Sequence, residues 1–257
     1  AASIAGLCAF AGTTIWTTTA GTPQGYSAPC LDGTSIYTST TDNPVALNVS
    51  DGTRRWSNTK HERLFNGAAF VSNRVYYVSG PNGGVRCLNP ATGVALWEQY
   101  TLTNQVSIMT EGEAGYEILG APAVAHDRVY VGCNDGRLHT FNMISGARGW
   151  SFAAGGKLQS SPSVAGDIVY VGSWDGALYA LDAFTGALCW KYQTGGRIIS
   201  TPWPAGMTVV VGSDDGCVYA VEGVPEPPGL AALSAMAVVM QMSRTCRGVG
   251  GRAVHGR

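Results

Sequence analysis

Residues 170–190 read YVGSWDGALYALDAFTGALCW, two β-rich runs and a third short run divided by turn residues. The Asp175-Gly176 pair lies between two alternating runs, Ile168 to Ser173 and Ala177 to Asp182. Asp-Gly supplies the positive φ angles that tight two-residue hairpin turns need. The stretch therefore predicts two strands joined by such a turn, followed by a further strand that contains Trp190.

The same pattern recurs along the chain at a nearly constant interval. A Gly followed four positions later by Trp occurs five times, at Trp16, Trp56, Trp97, Trp150 and Trp190. The hairpin marker keeps step with them at Asp42, Asn82, Asp135, Asp175 and Asp215. A repeating unit of about 40 residues with four strands is the signature of a propeller blade.

A third marker is a proline in the first strand of most units, at Pro29, Pro122, Pro162 and Pro202. We expect it inside that strand, because proline cannot donate to a sheet ladder and the innermost strand of a blade is an edge. The markers together predict an all-β fold, a β-propeller of four-stranded antiparallel blades.

The strand count predicts how the ring closes. The chain opens with a lone fourth strand near Thr13 to Thr18, and its last unit, Ser200 to Glu222, has no fourth strand. If the N-terminal strand completes the last blade, five blades close without an open edge. The alternative is a piece of a larger ring of about seven or eight blades. We divide the chain into an N-terminal segment (1–11), the propeller (12–222) and a C-terminal tail (223–257).

The stretch from Tyr170 to Trp190 closely resembles the repeats of the pyrroloquinoline-quinone (PQQ) propeller family. That family includes quinoprotein alcohol dehydrogenases and the outer-membrane-protein assembly lipoprotein. The resemblance covers roughly residues 12 to 222 and is strongest from 120 onwards. It implies that the five tryptophans dock neighbouring blades by packing between them.

The resemblance carries no cofactor site over to this chain. Quinone-binding members are larger rings that hold PQQ with a calcium ion, a catalytic Asp and a disulfide between adjacent cysteines. None of the seven cysteines here is adjacent to another, and the calcium ligands have no counterparts that we can map. We therefore expect no cofactor, and PQQ with calcium only if the chain is a fragment of a dehydrogenase.

After the last unit the composition changes. Val224-Pro225-Glu226-Pro227 precedes an apolar run, Leu230 to Met242, and then Arg244 and Arg247. This order resembles the PEP-CTERM sorting tail of exported bacterial proteins, which implies an exported, periplasmic or cell-envelope location and transient membrane association. The run is shorter than the roughly 20 residues that span a bilayer, so the alternative is a helix packed on the ring or at an interface.

One connection between units is longer than the others. The interval from Trp97 to Pro122 is nearly twice as long as each of the other intervals between a docking tryptophan and the next first strand. The extra residues fall within 98–120 and include Glu111, Glu113, Tyr116 and Glu117. Long loops on a rigid scaffold often bind partners, and the alternative is a tolerated surface insertion.

Charge and motifs exclude several functions. The net charge is -1, and no Lys/Arg block occurs before the C-terminal tail, which argues against nucleic acid as a partner. The four histidines share no spacing and turn chemistry accounts for the repeated aspartates, so we expect no metal site. No nucleophile, phosphate or dinucleotide motif is present.

We predict an exported, non-catalytic propeller that acts as a scaffold for another protein. Two alternatives stay open. One is a fragment of a PQQ-dependent dehydrogenase, and the other is a small-ligand sensor that uses the channel of the propeller.

Overall fold

The structure is a computed structural model that describes residues 3–7, 14–19, 29–39, 43–58, 67–79, 83–101, 118 and 120–223. Several sequence predictions lie outside these residues. They are the turn residues Asp42 and Asn82, the proposed partner-loop residues Glu111, Glu113, Tyr116 and Glu117, and the tail from residue 224 onwards.

All regular secondary structure in the described residues is β. A two-stranded sheet comes first, β1 (Ser3–Leu7) and β2 (Thr14–Thr19). The next two sheets have four strands each: β3 (Cys30–Leu31), β4 (Ser35–Ser39), β5 (Pro44–Asn48) and β6 (Arg54–Ser57), then β7 (Ala69–Val71), β8 (Arg74–Ser79), β9 (Gly84–Leu88) and β10 (Ala95–Tyr100).

Two further four-stranded sheets and a three-stranded sheet follow. They are β11 (Ala123–Ala125), β12 (Arg128–Gly132), β13 (Arg137–Asn142) and β14 (Arg148–Ala153); β15 (Ser163–Ala165), β16 (Ile168–Gly172), β17 (Ala177–Asp182) and β18 (Leu188–Gln193); and β19 (Trp203–Ala205), β20 (Thr208–Gly212) and β21 (Val218–Glu222). In the residues that the structure describes, no helix is long and apolar enough to cross a membrane.

The sheets are the blades of a propeller. Within each one the strands pair antiparallel in chain order, and the first strands β3, β7, β11, β15 and β19 contact one another in succession. The predicted all-β propeller class is therefore confirmed. We number these sheets in chain order, so that the sheet β3–β6 is blade 1 and the sheet β19–β21 is blade 5.

The core lies between blades rather than inside any one of them. One buried cluster joins Tyr76 and Trp97 of blade 2 to Val131 and Phe141 of blade 3, and the other clusters join the remaining pairs of neighbours. The middle strands β16 and β17 are buried almost throughout, whereas the outer strand β18 alternates between exposed and half-buried. A strand covered on both faces reads as a continuous apolar run, which the Val-Tyr-Val and Leu-Tyr-Ala-Leu sequences show.

The predicted closure by the N-terminal strand is wrong. Thr14–Thr19 pairs with Ser3–Leu7, with Ile4 opposite Thr18, and not with Val218–Glu222. Residues 3–7 offer a partner only a short connection away, and closing a short loop costs less entropy than joining the two ends of the chain. Among the described strands, β21 pairs with β20 alone.

The prolines lie just before the first strands rather than within them. β11, β15 and β19 begin at the residue after Pro122, Pro162 and Pro202. Because proline has no amide hydrogen to donate, ladder pairing starts one residue later.

The Asp-Gly turns also differ from the two-residue hairpin that we predicted. Only the glycines Gly136, Gly176 and Gly216 have positive φ, between 79° and 83°. Gly176 N–H donates to Ser173 O over 3.1 Å, and Ser173 N–H donates to Ala177 O over 3.0 Å. Each turn is thus a four-residue β-turn that ends in a left-handed glycine, a common longer hairpin connection.

Candidate functional site

Two kinds of connection between strands lie at the same end of the propeller. The turns between the second and third strands lie at this end, as do the crossings from the fourth strand to the first strand of the next blade, because successive strands run antiparallel. We call this end the turn face. The long segment that follows β10 leaves from and returns to the turn face.

The five predicted docking tryptophans all contact the next blade near the opposite end. The Trp97 indole N–H donates to Met143 O over 3.1 Å, and its ring lies where a side chain on Gly146 would have to be. The same two contacts recur between Trp16 and Gly52, Trp56 and Gly93, Trp150 and Gly186, and Trp190 and Gly223. A side chain would overlap the indole at Gly52, Gly93, Gly146 and Gly186, and at Gly223 it would come within 3.1 Å of the indole.

The aspartates of the turn face connect blades as well as shaping their turns. Asp175 Oδ1 accepts Ala177 N–H over 2.9 Å, and its Oδ2 accepts the Tyr179 hydroxyl and the Gly155 N–H of blade 3. Asp215 repeats this set with Cys217, Tyr219 and Gly195 of blade 4. The proposed turn role therefore includes a hydrogen bond from the preceding blade.

These hydrogen bonds favour the ionised carboxylate. Burial by itself disfavours the charge on Asp175, but the Tyr179 hydroxyl and two backbone N–H groups outweigh that effect and lower the pKa of Asp175. The pKa of Tyr179 is raised by burial and by its bond to this carboxylate.

The position just before each turn aspartate changes from blade to blade. It holds Asn134 in blade 3, Trp174 in blade 4 and Asp214 in blade 5. Gln159 donates to Asn134 Oδ1 over 3.0 Å, and Arg197 Nε lies 2.7 Å from Asp214 Oδ2. We call the set Asn134, Lys157, Trp174, Arg197 and Asp214 the turn patch.

Trp174 lies between two cations in the turn patch. Lys157 Nζ is 5.2 Å and Arg197 Cζ is 4.6 Å from the centre of an indole ring of Trp174, both within the range of a cation–π interaction. Its indole N–H is buried and has no hydrogen-bond partner among the described residues. The patch thus combines an aromatic surface with two cations, one of which pairs with Asp214.

Blade 3 has a different set of side chains at its turn. Cys133, Asp135 and His139 stand where blades 4 and 5 have Ser, Asp and Tyr, as the strand register shows. One ligand atom from each of the three lies within 4.8 Å of the others, and His139 Nε2 is 2.7 Å from Asp135 Oδ2. Cys133 and His139 are buried, and Asp135 is partly buried.

The cluster borders a cleft between blades 2 and 3. The cleft has a volume of about 400 Å³, and its lining includes Thr101, Asp135, Arg137, His139 and Arg148. The Arg148 guanidinium donates to Thr101 O over 3.0 Å and to Tyr100 O, and it lies over the Phe141 ring. Thr101 is the last described residue before the long segment, so the cleft lies at the base of that segment.

The cluster has distinct protonation preferences. Burial, reinforced by the nearby Asp135 carboxylate, raises the pKa of the Cys133 thiol to about 12. Burial also opposes ionisation of Asp135, but the hydrogen bond with His139 and the Arg137 N–H hold the pKa of Asp135 below its usual value. A neutral thiol therefore lies beside a carboxylate.

This cluster departs from the prediction made from the sequence, in which the four histidines share no spacing and Asp135 is a turn residue. The available signal was the comparison of Cys-x-Asp-x-x-x-His in one unit with Ser-x-Asp-x-x-x-Tyr in the two units after it.

Comparison with known proteins gives one family match. The profile of the family described as outer membrane protein assembly factor BamB matches residues 2–151 and 134–224. No curated protein matches the sequence significantly.

Solved structures with the same fold include BamB from Moraxella catarrhalis, at 21% identity and a TM-score of 0.65, over 83% of this chain and 62% of that one. Two quinohemoprotein alcohol dehydrogenases, ADHIIG from Pseudomonas putida HK5 and the enzyme from Comamonas testosteroni, are each 16% identical, with TM-scores of 0.67 and 0.64. They match over 81% and 78% of this chain and 42% of their own chains. The chain thus spans less than two thirds of each relative, and the likeness to them concerns the fold.

Proposed function

Because the chain belongs to the family of the outer membrane protein assembly factor BamB, we propose that it is an exported, non-catalytic propeller that binds another protein in the cell envelope. The name of the family supports a component of outer-membrane protein assembly as the partner that we propose. Residues 223–257 would add transient membrane association through their apolar run.

The observation that carries this proposal is the pattern of constant and variable residues on the turn face. The aspartate and the left-handed glycine recur in blades 3, 4 and 5 because they shape the turn. The side chain before the aspartate does not shape the turn. It differs in charge, size and polarity between the three blades, as Asn134, Trp174 and Asp214. Constant turns that present varied side chains form a rigid surface suited to recognition.

The composition of the turn patch suits a protein partner with acidic groups. Tryptophan and arginine are the residue types most enriched at binding hot spots, and Trp174 with Arg197 supplies both. Lys157 adds a second cation on the same indole. Binding of a carboxylate against Lys157 and Arg197 would leave the blade framework unchanged.

The experiment is affinity capture from envelope extracts with a charge-reversed patch. The double variant Lys157→Glu/Arg197→Glu should lose the captured partner while its melting temperature stays close to that of the wild type, because the exposed Arg197–Asp214 ion pair and the two cation–π contacts each stabilise little. Lys191→Glu, on the exposed outer strand β18, is the matched control and should keep the partner. Equal capture by the double variant would place the binding surface elsewhere on the ring.

We also propose that the long segment within 98–120 takes part in binding, with Glu111, Glu113, Tyr116 and Glu117 as contact residues. The segment leaves from the turn face after β10, so it can extend the turn patch. Trimming it to the length of the other crossings should leave melting nearly unchanged, since loop length enters closure entropy only logarithmically, and should abolish capture. A large drop in melting temperature would show a structural role instead.

The proposal includes no quinone cofactor. Titration with PQQ and calcium should give no stoichiometric binding and no alcohol-dependent dye reduction. Binding with reduction would favour the dehydrogenase alternative and would contradict a purely protein-binding role.

A further inference from the structure

We propose that Cys133, Asp135 and His139 form a binding site for a divalent transition-metal ion, with zinc as the best chemical fit. This goes beyond protein binding, and it departs from the sequence-based expectation of no metal site. The candidate ligands are the thiolate of Cys133, a carboxylate oxygen of Asp135 and Nε2 of His139.

The first observation is geometric. The three ligand atoms lie within 4.8 Å of one another, and the His139 and Asp135 atoms are 2.7 Å apart. Zinc–ligand distances of roughly 2.0–2.3 Å place the ligands of a tetrahedral site about 3–4 Å apart. The three ligand atoms are therefore close to the spacing that a tetrahedral site needs.

The second observation comes from the repeats themselves. Blades 4 and 5 have Ser173 and Tyr179, and Ser213 and Tyr219, around the same aspartate. Serine and tyrosine there complete a hydrogen-bonded turn, as the Tyr179–Asp175 bond shows. In blade 3 both positions change together, to cysteine and histidine. A structural turn needs neither change, whereas a zinc site gains a good ligand from each.

The charges around the cluster support a dication. A cysteine ligand binds a metal as its thiolate, with the proton passing to solvent, and an aspartate ligand binds as its carboxylate. These two negative charges balance the two positive charges of the metal, so the centre is neutral beside Arg137 and Arg148, which line the same cleft. The cleft leaves room for water or another small ligand in the fourth position, as sites with three protein ligands have.

The position of the site suggests what the metal does. Cys133 Sγ lies 3.7 Å from Thr101 Oγ1, and Arg148 holds the Thr101 and Tyr100 carbonyls. A metal here would fix the blade 3 turn at the base of the long segment. The ion would thus organise the start of that segment.

The experiment is a cobalt(II) titration of the intact, reduced, chelator-treated protein, followed by absorption. One equivalent should bind and give the thiolate-to-cobalt charge-transfer band of a cysteine ligand. Zinc should then displace the cobalt and abolish the band. No band, or a band that never saturates at one equivalent, would overturn the proposal.

The discriminating variant is Cys133→Ser/His139→Tyr, which gives blade 3 the residues of blades 4 and 5 and so keeps a turn the fold already uses. Its affinity for cobalt should fall by more than ~100-fold, since even outer-shell changes cost about 10- to 100-fold. The single variant His139→Tyr provides the same test with the thiol in place. Cys189→Ser, at an exposed cysteine, is the control and should bind normally. Retention of the band in the double variant would place the metal elsewhere.

The reciprocal variant Ser173→Cys/Tyr179→His transfers the set to blade 4. It should bind a second equivalent with the same spectrum. Failure to gain that equivalent would contradict the argument that these two positions decide binding.

Discussion

The indole of each fourth strand contacts a glycine and a backbone carbonyl of the next blade, and this pair of contacts is the smallest unit of the fold. Trp97 is 9% exposed, and its N–H donates to Met143 O. The ring fills the volume that a side chain on Gly146 would take. The Gly-x-x-x-Trp spacing in the sequence thus reflects two residues of one blade that contact different neighbours.

Trp97→Ala should lower the free energy of unfolding by about 3–5 kcal/mol, the usual range for emptying a buried aromatic site. Chemical denaturation followed by circular dichroism measures the change. Trp174→Ala, at a partly buried tryptophan in the turn patch that docks no blade, should cost clearly less. Equal losses would show that the docking contact contributes nothing special.

Gly146→Ala tests the glycine half of the same contact. Gly146 has φ of 71°, and an added Cβ would lie 2.8 Å from Trp97 Cδ2. Gly166 has φ of 55° with nothing within 4 Å of such a Cβ, so Gly166→Ala reports backbone strain alone. We expect both variants to lose about 1–2 kcal/mol from the positive φ, and Gly146→Ala a further 1–3 kcal/mol or so from the clash. Similar losses would mean that the ring moves aside freely.

The docking residues could be predicted from the sequence. The positions of all five tryptophans follow from the Gly-x-x-x-Trp period. The Cys133, Asp135 and His139 cluster was missed, because its signal appears only when blade 3 is compared position by position with blades 4 and 5, and the register then places His139 opposite Val131.

The hairpins of blades 3, 4 and 5 each contain a turn aspartate that accepts hydrogen bonds from the turn. Asp175 is held ionised by the Tyr179 hydroxyl and by N–H groups from two blades, so its pKa in the folded protein is below the unfolded value of about 3.9. A lowered folded pKa contributes stability that is present above the unfolded pKa. That stability is lost as the pH falls through the folded pKa.

Asp175→Asn should therefore flatten the acid limb of the stability profile. Wild-type stability should decline as the pH drops below about 4, and the variant should decline less steeply from a lower starting value. Thermal melts between neutral and acid pH measure this. Asp127→Asn, at an exposed turn residue with positive φ that asparagine tolerates, controls for the loss of a charge. An unchanged acid slope in Asp175→Asn would contradict the role of this carboxylate.

The strands could be predicted where the turn, proline and tryptophan markers repeat in the sequence. They were missed where these markers are absent. The strand Ser3–Leu7 has small apolar residues and no turn, proline or tryptophan marker, so its pairing with Thr14–Thr19 was missed. The Asp-Gly pairs were recognised as turns, but the type of turn depends on the Ser173 and Ala177 backbone bonds, which the dipeptide does not specify.

The described part of the molecule is a series of blades whose cores are shared by neighbours. The docking contacts lie towards one end and the varied side chains at the other, so the surface that we propose for recognition is separate from the docking contacts. The sequence predicted the propeller because the repeat is periodic. It could not predict the turn patch, because Lys157, Trp174 and Arg197 meet only when neighbouring blades stack.

Site-specific photocrosslinking in native cell envelopes decides whether the turn face is the protein-binding surface that we propose. A photoreactive phenylalanine analogue would replace Trp174 on the turn face or, in the matched variant, Phe184, which is 45% exposed at the opposite end. We predict one discrete protein adduct from position 174 that disappears with the Lys157→Glu/Arg197→Glu change, and none from position 184. An adduct from position 184 with none from position 174 would contradict the claim.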